Sequence, residues 1–309
     1  MRIGVDLGGT KTESVAVDDS GTERARLRVP TPSHSYDEII ASIVRLVRDT
    51  EAHVGETGTV GVGIPGAVSP ATGLVKNANT VVLIGRPFDR DLGRALGRPV
   101  RVANDANCFA LSEASDGAGA GARVVFGVIV GTGTGGGVVV DGKLLTGPHA
   151  IAGEWGHNPL PWPRDDERPG PPCYCGRSGC IETFLAGPSL ARDHRLHTGE
   201  TRDAGDVARR AEAGDASAVA TMNRYEDRMA RSLASVINVL DPDVIVLGGG
   251  LSNIARLYRE VPPRLGAYVF SDTVSTPIVP ARHGDSSGVR GAAWLWPLRE
   301  ASASAGAPG

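Results

Sequence analysis

Cysteine is scarce in this chain, with four residues in 309. That is too few for a fold stapled together by disulfides. Long apolar runs are also missing, and none approaches the ~20 residues of a membrane span. The first residues, "MRIGVDLGGT", lack the charged-then-apolar order of a signal peptide. The expectation is a cytoplasmic protein, where lasting disulfides are unusual. There is no excess of positive charge: 32 Lys and Arg stand against 35 Asp and Glu, a net charge of −3. This leaves no basic footprint for nucleic acid, so neither nucleic acid nor membrane is expected as a partner. What remains is 41% hydrophobic and 22% charged, as in a globular protein long enough for two domains.

The scarce cysteines are not scattered. Three fall in "PPCYCGRSGCIET", at 173, 175 and 180, in a loop broken by proline and glycine. Cys173 and Cys175 are too close in sequence to pair easily with each other. With His157 of "GEWGHNPLPW" they make one His and three Cys, a closed tetrahedral set for zinc. Glu154 and Glu182 flank this loop. Taken alone each is an ordinary solvated glutamate, but beside a metal-held loop each is placed to grip hydroxyl groups.

Glycine is plentiful, at 42 residues, and its placement is informative. In "RIGVDLGGTKTESVAVDDSG", Ile3, Val5 and Leu7 alternate, a glycine turn follows, and Ser14 to Val17 return as a strand. "VFGVIVGTGTGGGVVVDGK" has the same plan, with strand Val124–Val130, a glycine-rich turn, and strand Val138–Val140. The likeness predicts two related domains. Between and after these units, strand and helix patterns alternate. "TVGVGIPG" and "DVIVLGGG" read as strands, "YDEIIASIVRLVRDTEAHV" and "AVATMNRYEDRMARSLASVINVL" as helices, and "RPVRVANDANCFALSEAS" as a strand entering a helix. That alternation predicts α/β architecture with parallel strands. The Ala, Ser, Gly and Pro tail 301–309 is expected to be disordered.

Three glycine-rich turns follow apolar strands: Gly8-Gly9-Thr10-Lys11, Gly131 to Gly137 with Thr132 and Thr134, and Gly248-Gly249-Gly250. A hairpin turn is the plain account of any one of them. Together they suggest backbone N–H groups held open for phosphates, with Lys11 adding charge. They match neither a P-loop nor a dinucleotide fingerprint in its usual setting. Asn104-Asp105 lies where a strand meets a helix. Both residues suit a helix cap, and a carboxylate beyond a strand's carboxyl end also suits a base that takes a hydroxyl proton.

The motifs "DLGGTK", "GIPG", "NDAN", "GTGTGGG", "GEWGH", "CYCGRSGCIE", "DPDVIVLGGG" and "HGDSSGVRGAAW" together resemble the ROK family of bacterial sugar kinases. That family belongs to the hexokinase–actin–Hsp70 superfamily. Within it, "SPATGLVKNAN" and "EWGHNPLPW" resemble fructokinases of the manno(fructo)kinase type, while "NDANCFALSEA" resembles N-acetylglucosamine kinases. The resemblance implies a two-domain actin-like, hexokinase-like α/β fold, a duplicated ribonuclease H-like motif with an interdomain cleft. The expected domains are 1–118, completed by a helix at about 288–300, and 119–287 with the zinc loop 157–182.

The resemblance further implies an ATP-dependent hexose kinase with catalytic Mg²⁺ and structural Zn²⁺. Asp6, Gly8, Gly9, Thr10 and Lys11 would meet the phosphates and Mg²⁺, Gly131, Thr132, Gly133, Thr134, Gly135 and Gly136 would form a second phosphate loop, and Gly248, Gly249 and Gly250 the nucleoside side. Asp105 would be the general base. Gly66, Asn79, Asn104, Asp105, Glu154, His157 and Glu182 would serve the sugar, His157 through the ring nitrogen not given to zinc. Fructose is the expected acceptor, with mannose also accepted and N-acetylglucosamine or glucose as alternatives, and a homodimer is expected. Repressors of the family carry a helix-turn-helix ahead of the sugar domain; here the glycine-loop strand starts at residue 2, so a kinase is expected rather than a regulator.

Overall fold

The alternating strand and helix patterns fold into two five-stranded sheets that share one strand order. The computed structural model describes residues 1–297; the tail 301–309 and the end of the helix expected at about 288–300 lie outside the described residues. The chain begins with β1 (Arg2–Leu7), β2 (Lys11–Val17), β3 (Glu23–Pro30), α1 (Tyr36–Val54), β4 (Thr59–Ile64), β5 (Ala67–Val68), β6 (Val75–Lys76), α2 (Phe88–Leu96) and β7 (Val100–Asn104). It continues through α3 (Asp105–Ser115), β8 (Val124–Val130), β9 (Thr134–Val140), β10 (Lys143–Leu145), α4 (Glu182–Leu185), α5 (Gly187–Thr198), α6 (Ala204–Glu212) and α7 (Ala216–Leu240). Last come β11 (Val244–Gly248), α8 (Arg256–Glu260), α9 (Pro262–Leu265), β12 (Ile278–Pro280) and α10 (Ser287–Trp294).

The first sheet has the order β3-β2-β1-β4-β7, with β1, β2 and β3 antiparallel and β4 and β7 added in parallel. The second has the order β10-β9-β8-β11-β12 with the same pattern of directions. This is the duplicated, actin-like and hexokinase-like plan. Apolar alternation explains the cores. Ile3, Val5 and Leu7 of β1 pack with Ile39, Ile43 and Val47 of α1 and with Val60, Val62 and Ile64 of β4. The second core joins Phe126, Val128 and Val130 of β8 to Met222, Tyr225, Met229 and Leu233 of α7. α7 starts on Asp215, whose side chain accepts from the N–H groups of Ser217 and Ala218, and ends at Asp241 in the left-handed conformation, φ 47°.

Packing divides the chain into two compact units, Met1–Asp105 with the described residues from Val289 onward, and Ala106–Gly288. The division falls after Asp105 rather than near 118, because α3 lies directly on the second sheet. A Cβ on Gly127 would meet Ala110 Cβ at 2.6 Å, and one on Gly137 would meet the Ala106 carbonyl oxygen at 2.8 Å. α10 does the same for the first unit: a Cβ on Gly4 would stand 1.9 Å from the Val289 carbonyl oxygen, and one on Gly61 1.9 Å from that of Ala292. Each sheet thus admits a helix backbone where a side chain would otherwise stand.

The strand pairing corrects two boundaries read from the sequence. β9 begins at Thr134, not at Val138, and Gly137 pairs with Gly127 inside the sheet. Gly135, Gly136 and Gly137 are strand residues, so the exposed turn narrows to 131–133. Likewise β2 begins at Lys11 rather than Ser14.

Candidate active site and metal centre

In the first unit, β1, β4 and β7 run parallel, and Asp6, Gly63 and Ala103 stand in one row across them. The residues just beyond that row share one edge: the Gly8-Gly9 turn, the Pro65-Gly66 turn, and Asn104-Asp105. Gly8 N–H donates to the Lys11 carbonyl at 3.0 Å, and Thr31 Oγ1 donates to the Gly8 carbonyl at 2.8 Å. Gly9, Thr10 and Lys11 are exposed. Gly66 has φ +145°, and a Cβ there would stand 2.8 Å from the Lys76 carbonyl oxygen, so the turn clasps the strand that leads to Asn79. The Asn79 N–H completes the clasp, donating to the Pro65 carbonyl at 3.2 Å.

Asp105 opens α3 directly after β7, where unpaired helix N–H groups favour a negative charge. Burial, then the charge of Asp105 and of Glu13, pushes the Asp6 carboxyl from 3.8 up to about 6, against the pull of Lys11. Glu13 is itself paired with Arg26 at 2.6 Å and Arg28 at 3.0 Å. A desolvated carboxyl with a second carboxylate in range is a setting that a hard divalent cation relieves, so Asp6 fits an Mg²⁺ ligand or a partner of its bound water.

In the second unit, Gly131 N–H donates to the Gly133 carbonyl at 2.9 Å, closing the β8–β9 turn. A Cβ on Gly131 would stand 3.7 Å from Gly250 N, so this turn and the end of β11 are neighbours. Gly248 serves packing: a Cβ there would stand 2.3 Å from the Phe109 ring. Trp155 Nε1 donates to the Gly135 carbonyl at 2.9 Å. Glu154 precedes this tryptophan, in the short 3-10 turn that carries His157.

The Nδ1 of His157 and the Sγ atoms of Cys173, Cys175 and Cys180 form the cluster that sequence spacing predicted. One donor atom from each lies within 4.8 Å of every other. Cys175 and Cys180 sulfurs are 3.6 Å apart, and Cys173 Sγ is 3.6 Å from His157 Nδ1. Those separations are far too long for a disulfide of ~2.05 Å. They suit donors arranged tetrahedrally on an ion with Zn–S of ~2.3 Å. An N–H from Arg177 draws the Cys175 thiol down to about 6, while burial pushes Cys180 up to about 12 and raises Cys173, and the charge of a bound ion would favour all three thiolates.

His157 Nε2 faces outward and is 2.9 Å from the Tyr174 hydroxyl, with the two rings edge to face at 5.1 Å. Tyr174 is 76% exposed. Its place between Cys173 and Cys175 is the hint the sequence holds of it. Glu182 starts α4 just after Cys180 and Ile181, and its Oε2 accepts from the Thr134 N–H at 2.9 Å.

A second anchor went unseen in the sequence. Buried Glu167 accepts from Arg228 Nε at 2.7 Å and from Arg231 at 2.8 and 2.9 Å. Arg231 also donates to the carbonyls of Pro161 and Trp162. This ion cluster fastens the Pro-rich arm of the metal loop to α7. Its residues lie 61 to 64 positions apart, and no local spacing reveals them.

The comparisons with known proteins agree with this geometry. The description "ROK family" matches residues 2–299. The chain belongs to the ROK family. It stands among that family's sugar kinases. It is 43% identical over 301 residues to an N-acetyl-D-glucosamine kinase of Pasteurella multocida, covering 96% of this chain and 99% of that protein. Among solved structures it is similar to the ROK hexokinase of Thermus thermophilus, with TM-score 0.84, 32% identity, and 94% and 96% of the two chains covered. It is also similar to a ROK glucokinase of Streptomyces griseus solved with glucose and AMPPNP, with TM-score 0.77, 27% identity, and 95% and 98% covered. These relatives favour the N-acetylglucosamine or glucose alternative over the fructose expected from the sequence. Among the described residues no helix is long and apolar enough to cross a membrane.

Two outcomes follow from the site. Purified protein should carry about one zinc per chain, and Cys175→Ala should lose it, read by elemental analysis. Retention of a full zinc equivalent by Cys175→Ala would remove that cysteine from the ligand set. The second outcome concerns Asp6. Its folded pKa of about 6 lies above the ordinary 3.8, so its contribution to stability is full below pH ~4 and is lost as pH rises through about 6. Asp6→Asn should therefore match the wild type near pH 4 without Mg²⁺ and exceed it by about 2–3 kcal/mol near pH 7. Denaturant titrations across that range test this, and a difference that does not change with pH would contradict the shift.

Proposed function

We propose that the chain transfers the γ-phosphoryl group of ATP to a hydroxyl of N-acetyl-D-glucosamine. The observation that carries this reading is the 43% identity to an N-acetyl-D-glucosamine kinase over nearly the whole of both chains. The segment "NDANCFALSEA", which holds the base, points to the same branch. Fructose becomes the second reading, supported by "LVKNANT" and "GEWGHNPLPW".

In this reading Asp105 accepts the proton of the attacking sugar hydroxyl as the bond to phosphorus forms. Its place at the start of α3 favours the ionised form that a base requires. Gly8, Gly9, Thr10 and Lys11, and in the second unit the 131–133 turn with Gly249 and Gly250, hold the nucleotide through backbone N–H groups and the Lys11 charge. Asp6 would help to hold Mg²⁺, which would supply positive charge to the phosphates. Gly66 shapes the turn that sets Asn79, and Asn79, Asn104, Glu154, His157 and Glu182 orient the sugar. His157, Cys173, Cys175 and Cys180 would hold zinc, and with Nδ1 turned to that cluster His157 would offer Nε2 to a sugar hydroxyl. Tyr174 holds that nitrogen in this structure and yields it when sugar binds.

Steady-state kinetics on N-acetylglucosamine, glucose, mannose and fructose test the acceptor. N-acetylglucosamine should lead fructose in kcat/KM by at least about tenfold, within the ~10–200-fold that fit alone supplies. A lead for fructose would return the assignment to the second reading. Asp105→Asn keeps size and polarity but removes the base. It should lose at least ~10²-fold in kcat with its thermal transition intact. A folded variant with near-normal kcat would exclude Asp105 as the base.

A further inference from the structure

Glu182 is assigned to the sugar by its motif, yet its carboxylate is engaged elsewhere. Oε2 accepts from the N–H of Thr134, the residue at which the Gly131–Gly133 turn enters β9. The contact is close on both sides of the peptide, because a Cβ on Gly133 would stand 2.8 Å from the same oxygen. Further contacts pin the turn and the strand behind it. Gly187 N–H donates to the Gly131 carbonyl at 2.7 Å, and a Cβ on Gly156 would lie 2.1 Å from the Thr134 carbonyl oxygen. Segments 153–157 and 182–187, which carry the sugar-directed residues, are therefore the ones that brace the turn. Among these braces Glu182 is the charged one, and hydrogen bonds to a charged acceptor are the stronger kind.

We propose that Glu182 is a positioning residue for the nucleotide: one carboxylate oxygen fixes the 131–133 turn while the other is left to the sugar. This rests on the reading of 131–133 as a phosphate-binding turn. One side chain then serves both substrates, and its loss weakens nucleotide binding even with no sugar present. A glutamate that served only sugar hydroxyls would not have that effect.

The test is calorimetric titration of the full-length, metal-loaded protein with AMPPNP and Mg²⁺ in the absence of sugar. Glu182→Ala removes the acceptor and should raise the nucleotide Kd about tenfold, the scale of one charge-assisted hydrogen bond. Glu182→Asp keeps the charge but falls short of Thr134 by about one C–C bond, ~1.5 Å. It should behave like the alanine variant, and it stands in for that variant should alanine fail to fold. Glu182→Gln keeps an oxygen at the same reach and should stay within about threefold of wild type. Unchanged nucleotide Kd in both Glu182→Ala and Glu182→Asp, with sugar KM raised, overturns the inference and leaves the kinase reading standing. A wild-type protein that binds no AMPPNP overturns both.

Discussion

The constraint on which the metal loop and its neighbours depend is the closure of four donor atoms around one point. Between His157 and Cys180 the chain has short 3-10 turns and two isolated bridges, Pro159↔Cys180 and Pro172↔Ser178, in place of continuous strand or helix. Ordering such a segment costs about 1–2 kcal/mol of backbone entropy per residue, and little apolar burial offsets it. An ion held by His157, Cys173, Cys175 and Cys180 would close the loop at its base, and the Glu167–Arg228–Arg231 cluster fastens its outer arm. Those charges are nearly fully buried, and each is satisfied by several partners, which is the condition under which buried ions are tolerated. Glu182 and α4 follow just after Cys180 and are held besides by the Thr134 N–H and the Tyr225 hydroxyl.

Electrostatics impose the second constraint. Asp6 and Asp105 come from β1 and from the end of β7, and the parallel β1-β4-β7 edge brings them into range of each other. Two carboxylates in partial burial do not both ionise at low cost. Burial and the charge of Asp105 hold the Asp6 carboxyl at about 6, above its ordinary value. Asp105 stands at a helix start, where a negative charge is favoured.

The repeated sheet plan explains why the glycines have two kinds of work. Gly8, Gly9 and the 131–133 turn lie at strand ends, where the chain reverses between strands. Gly4, Gly61, Gly127 and Gly137 lie within strands and let α10 and α3 rest on the sheets. In sequence the two kinds run together, most clearly in 131–137, because a residue without a side chain says nothing about which neighbour its absence accommodates.

By itself, the sequence determined the strand–turn–strand units, the parallel α/β plan, the family, and the His157–Cys173–Cys175–Cys180 donor set. The units, the plan and the donor set rest on local spacing and on residue types with narrow chemistry, and the family on the resemblance of its motifs, and these survive without coordinates. Only the tertiary structure decided where β9 begins, that α3 packs with the second sheet, that Tyr174 meets His157 Nε2, and that Glu182 reaches Thr134. It alone joined Glu167 to α7. Each of these is a contact between residues distant in sequence, chosen by which backbones come close enough to touch. A periodicity of two or of 3.6 residues carries no information about such a choice.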